Sequence, residues 1–101
     1  MEEMTIRTTG DSEVTVSGNI KSIEDYQAIK EVVRDLVKKG RQAIVVNIPD
    51  SLSMTSSVIG FFLKLIYSDN IKITMNVTDE RLYNLLDVLN LITVFDVRKT
   101  R

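Results

Sequence analysis

The sequence predicts an α/β fold, a mixed sheet of four to five strands covered by helices in the order ββαβαβαβ. Three observations carry that prediction. Two short runs of alternating Thr, Val and Ile open the chain. A helical repeat with defined ends follows between Ser22 and Gly40. Beyond it, apolar runs alternate with further helical repeats, as they do in parallel βαβ units. With 101 residues the chain fits one domain, residues 1–101, and a chain of that size buries roughly two-thirds of its unfolded surface.

Each element has its own signal. Thr5 to Thr9 and Glu13 to Ser17 flank Gly10-Asp11-Ser12, which reads as a β-hairpin turn. Both runs suit half-buried strands. Ser22 followed by Asp25 forms a capping box with Asp in place of the usual Glu. Tyr26, Ile29, Val32, Val33, Leu36 and Val37 then recur at helical spacing. Lys38 and Lys39 favour the C-terminal end of the helix dipole, and Gly40 terminates it. Ala43 to Ile48 has the continuous apolar character of a strand covered on both faces, and Pro49-Asp50 ends it. A second helix is expected from Thr55 or Ser56 to about Tyr67, and a strand over Ile71 to Asn76. Thr78 is expected to cap a third helix, with Asp79 and Glu80 in its first turn and Leu82, Leu85, Leu86 and Leu89 on its apolar face. Thr93 to Val97 reads as the last strand, and Ile44, Val46 and Ile73 as core.

Composition excludes several chemistries. The chain has no Cys and no His, so thiolate chemistry, disulfides and the commonest general base are absent. Thirteen Lys and Arg against fourteen Asp and Glu leave a net charge of −1, without the basic footprint of a nucleic-acid binder. The acidic start Met1-Glu2-Glu3-Met4 is unlike a secretory leader. The most apolar window, Val58 to Tyr67, contains Lys64 and falls short of the ~20 residues that span a bilayer. A soluble cytoplasmic domain without membrane or nucleic-acid partners is the expectation. Met1 and the basic Lys99-Thr100-Arg101 end read as those of a complete small protein.

No reaction centre stands out. Asp50 lies at a strand end, but Asp25, Asp69 and Asp79 read as caps or turns, and no glycine-rich phosphate loop exists. Neither a cofactor nor a metal is implied. The segment Ser51-Leu52-Ser53-Met54-Thr55-Ser56-Ser57 differs, because five of its seven residues carry hydroxyls ahead of a helix. Helix N-termini present free N–H groups and accept phosphate, although capping alone accounts for one or two of these residues. In the helix that follows, Lys64 and Gly60 alone interrupt the apolar run from Val58 to Tyr67. A helix in so small a domain cannot be buried all round, so part of that surface is expected to meet a partner. Hydroxyls beside an apolar docking surface form the layout of a phosphorylation switch.

These residues resemble the STAS family, the anti-sigma-factor-antagonist domains of bacterial partner-switching systems. The family joins a buried strand to a Leu-Ser-Phe-Met-Asp-Ser-Ser-Gly-Leu-Gly type of loop and helix. Here Val45-Val46-Asn47-Ile48 is followed by Met54-Thr55-Ser56-Ser57-Val58-Ile59-Gly60. Leu82 to Leu91, then Val94-Phe95-Asp96-Val97, is similar to the family's last helix, leucine-rich turn and final strand, and Gly18 falls where the family has a Gly after its second strand. The similarity extends over essentially the whole chain.

The resemblance implies a binding switch and not an enzyme. It implies phosphorylation at Ser56 by a serine kinase of the anti-sigma type and removal of the phosphate by a serine phosphatase; no small-molecule ligand is expected. The unmodified protein would hold the kinase or anti-sigma factor through Met54, Thr55, Ser57, Val58, Ile59 and Phe62, and phosphorylation would release it. The output in such systems is transcription through a sigma factor or another behaviour such as biofilm formation. Thr55 stands where the family has Asp, and Val58 where it has Gly, which leaves Thr55 and Ser57 as rival acceptors. A scaffold module without a phosphorylation cycle is the alternative within the family, and nucleotide binding a third reading that no glycine-rich loop supports.

Overall fold

The computed structural model describes residues 3–100; Met1 and Glu2 of the acidic start and Arg101 of the basic end lie outside the described residues. The elements follow the predicted order: β1 (Thr5–Gly10), β2 (Glu13–Ser17), α1 (Ile23–Lys38), β3 (Ala43–Ile48), α2 (Ser56–Tyr67), β4 (Lys72–Val77), α3 (Glu80–Val88) and β5 (Val97–Lys99). One five-stranded sheet runs β1-β2-β3-β4-β5, with β1 antiparallel to β2 and every other pair parallel.

This sequential order decides where the helices go. Each of the three parallel connections steps to the next strand in the same direction, and right-handed crossovers then place α1, α2 and α3 on one face. Burial follows. Val14, Val16, Ile44, Val46, Ile48, Ile73, Met75 and Val77 are buried beneath the helices. The alternate residues Thr15, Val45, Asn47, Thr74 and Asn76 stay half-buried on the open face. The expectation that Ala43 to Ile48 is covered on both faces is therefore overturned, because no helix remains for the second face.

The helices add Ile29, Val33 and Leu36 from α1, Val58, Phe61, Phe62 and Leu65 from α2, and Leu82 and Leu86 from α3 to one continuous core. Each such side chain contributes about 1.5–3 kcal/mol on full burial. The capping box of α1 is formed: the Ser22 hydroxyl accepts the Asp25 N–H at 3.1 Å, and the Asp25 carboxylate accepts the Ser22 N–H at 3.0 Å. Burial pushes the Asp25 carboxyl up, but N–H donors from Lys21 and Ser22 outweigh it and leave the group below its ordinary range. At the other end Gly40 takes φ +88°, which lets the Arg41 N–H reach the Leu36 carbonyl at 3.2 Å. Asn90, at φ +61°, closes α3 in the same way, with the Leu91 N–H on the Leu86 carbonyl at 2.8 Å.

Three boundaries differ from expectation. The fourth strand is Lys72–Val77, one residue later, because Ile71 first returns its N–H to Leu65 at 2.9 Å. The cap of α3 is Asp79 and not Thr78: the Asp79 carboxylate accepts the Arg81 N–H at 2.8 Å, while the Thr78 hydroxyl pairs with that of Thr100 at 2.9 Å. Of the expected strand Thr93 to Val97, only Val97 is extended. Thr93 to Asp96 form turns, closed by Phe95 N–H on Leu91 and Val97 N–H on Ile92, and Asp96 sits at φ +46°. The coil drives Phe95 into the core against Phe62, with ring centroids 6.2 Å apart, and extended pairing starts only at Val97.

Arg81's guanidinium and its backbone N–H together lower the Asp79 carboxyl from 3.8 to about 2. A carboxyl depressed in the folded state stabilises above its unfolded value and loses that contribution as pH falls through the folded one. Thermal melts between pH 4 and 2 should show a loss of stability that Asp79→Asn reduces, since Asn caps without titrating. An unchanged acid slope in the variant would show that this carboxylate carries no part of the acid sensitivity.

Candidate functional site

The hydroxyl-rich segment connects β3 to α2 and is bound to the loop between β2 and α1. Ser51 is fully buried; its hydroxyl accepts the Ile20 N–H at 3.0 Å and donates to the Ser53 carbonyl at 2.6 Å. The Leu52 N–H donates to the Asn19 side-chain oxygen at 3.0 Å, and the Gly18 N–H to the Asp50 carboxylate at 3.3 Å. Asp50, the carboxylate at a strand end, thus ties two loops together. Gly18 has φ +86°, and a Cβ there would lie 3.1 Å from the Glu3 carbonyl oxygen, so the close passage of the chain near Met4 requires glycine.

From this anchored loop the chain enters α2. Thr55 is the N-cap, extended at φ −78° and ψ 158°, and its hydroxyl accepts the Val58 N–H at 3.3 Å. Ser56 and Ser57 are therefore the first two residues of the helix, and both are exposed. Among the described residues neither hydroxyl has a hydrogen-bond partner within the protein. A phosphate on Ser56 would sit at the positive end of the helix dipole.

Structure divides the expected contact residues into two groups. Thr55, Ser57 and Ile59 reach the surface wholly or in part. Met54, Val58 and Phe62 do not: they are 6%, 0% and 1% exposed and belong to the core. Met54, in the loop just before the Thr55 cap, turns into the core, and for Val58 and Phe62 the reason is the wheel of α2. Val58, Phe61, Phe62 and Leu65 face the sheet and α1, with Phe61 edge-on to Tyr26 at 6.4 Å. Ile59, Leu63 and Ile66 are half-buried shoulders, and Ser56, Ser57, Gly60, Lys64 and Tyr67 point outward. The apolar appearance of the helix is thus largely accounted for by its own domain.

Exposed apolar surface near the hydroxyls comes from elsewhere. A depression of about 100 Å³ between the starts of α1 and α2 is lined by Lys21, Ser22, Ile23, Tyr26, Thr55 and Ser57. Ile23 on its rim is 70% exposed, and Leu52 on the anchored loop 40%. Sequence reasoning missed both. Ile23 carried a signal, since it is apolar yet falls off the helical stripe that runs from Tyr26 to Val37.

Among the described residues no group of three or more Asp or Glu stands close enough to hold a metal ion, and no helix is long and apolar enough to cross a membrane. No family model matches this chain, and a search of curated proteins finds no match either.

The two roles of the hydroxyls can be separated by stability. Ser51→Ala strands the Ile20 N–H and should cost about 1–3 kcal/mol in urea unfolding. Ser56→Ala should stay within about 0.5 kcal/mol of wild type. Equal effects from both substitutions would contradict the division of the loop into anchor and exposed tip.

Proposed function

We propose that this protein is a phospho-regulated binding switch of the STAS type, cytoplasmic, and a partner of a serine kinase of the anti-sigma class. The reading is supported above all by one observation: Ser56 is a free, exposed hydroxyl at the first position of a helix whose supporting loop is anchored by hydrogen bonds. A kinase can take up such a hydroxyl without unfolding its surroundings. Ser57, one position on, lines the depression beside Ile23 and Tyr26. Thr55 is engaged as the cap.

The docking surface in this reading is the rim around Ser56: Thr55, Ser57 and Ile59 with Ile23 and Leu52, in place of the buried Met54, Val58 and Phe62. The switch is electrostatic. A phosphate adds about −1.5 to −2 charges at neutral pH. Within the protein the dipole of α2 accommodates it, so the fold changes little. At a docked rim the same charge is partly buried without a counter-ion, which costs several kcal/mol, about a hundredfold or more in affinity. A serine phosphatase restores the binding form.

The test uses the anti-sigma-type serine kinases of the source genome, purified and supplied with ATP. One of them should phosphorylate Ser56 and bind the unmodified protein. Ser56→Asp should weaken that binding about a hundredfold while the circular dichroism spectrum and melting stay near wild type. Ser56→Ala should bind persistently and resist release by ATP. Wild-type affinity in Ser56→Asp would reject the electrostatic switch, and an unfolded Ser56→Asp would make the residue a structural one.

A further inference from the structure

Gly60 has no structural reason to be glycine. It lies in the interior of α2, where glycine destabilises relative to alanine. Its φ is not positive, unlike Gly18 and Gly40, so conformation does not demand it. A Cβ built on it meets nothing within 4 Å, so packing inside the domain does not demand it either. The position is exposed and stands one turn after Ser56, with Lys64 one turn further along the same outward row. Lys64 is the only charged residue of α2, and among the described residues it is paired with no carboxylate.

We infer that the outward row Ser56–Gly60–Lys64 is where the main chain of the bound serine kinase crosses α2, passing closest at Gly60 and setting a carboxylate against Lys64. The inference rests on the function proposed above. A kinase that holds the Ser56 hydroxyl must lie over the first turns of this helix, and the row beyond Ser56 offers it a position with no side chain. There a partner backbone can come within Cα–H···O distance of the helix. A row bearing one unpaired cation and no acid complements an acidic segment of the partner.

Gly60→Ala separates stability from binding. The melting temperature should rise by about 2–8 °C, because alanine is the better helix former and has open space to occupy. Affinity for the kinase that phosphorylates Ser56, measured with ADP in place of ATP so that no phosphate is transferred, should fall at least about tenfold, and Lys64→Glu should weaken it comparably, with a melting temperature lowered only slightly by a carboxylate in the last turn of α2. A Gly60→Ala variant that binds as tightly as wild type, or that melts lower, overturns the inference. So does a wild-type dimer in sedimentation that Gly60→Ala splits, since the occupant is then a second copy of the chain. If a kinase modifies wild type and Gly60→Ala equally well, the switch stands and this contact alone is refuted. If no kinase accepts wild type, both are refuted.

Discussion

The handedness of three successive crossovers governs this molecule. Because β2 to β5 follow one another across the sheet in chain order, right-handed connections put every helix on one side and run them parallel. All three helix N-termini then lie at the end of the sheet where the parallel strands finish. Since β2 and β3 are neighbours, the loops that leave them are neighbours too. The contact between those loops, through Ser51, Asn19 and Asp50, is thus a product of topology. It sets the entry of the chain into α2.

The same end of the molecule shows how one residue type serves opposed purposes. Ser51 is a buried polar group whose hydroxyl both accepts and donates, and it fixes the loop at the point where an apolar side chain could not satisfy the Ile20 N–H. Thr55 closes the helix end. Ser56 and Ser57, with no such task, are left to solvent. A loop held on one side and open on the other presents its exposed hydroxyls with little conformational freedom left to lose on binding.

What could be read from the sequence was what local chemistry decides. The start, stripe and stop of α1 each rest on a few neighbouring residues, and all three formed as expected. The order of elements along the chain followed from alternation of the two periodicities. The misreadings came from contacts between distant residues. Thr93 to Val97 has the composition of a strand, but Thr93 to Asp96 turn instead, with Phe95 packed on Phe62, and only Val97 joins the sheet. Val45 made β3 look covered on both sides, although a valine also suits a half-exposed pleat; Asn47 was the one residue in that run that marked the open face. Met54, Val58 and Phe62 were assigned to the surface because composition counts apolar residues without saying which way they turn. For Val58 and Phe62, helical spacing from Phe61 and Leu65 held that information.

Asn47 and Asn76 face each other across β3 and β4 on the open side of the sheet, and the Asn76 amide donates to the Asn47 side-chain oxygen at 2.8 Å. The Asn47 amide in turn donates to Glu13 and Thr15 on β2. Apolar strands of equal length can slide past one another with little penalty, yet these cannot. A slip of one residue would turn an asparagine into the apolar layer and Met75 out of it. A slip of two would keep the faces but set Asn47 beside Thr74 or Thr78, breaking the amide pair. The polar side of the sheet, which adds nothing to the core, therefore helps to align the strands that build it.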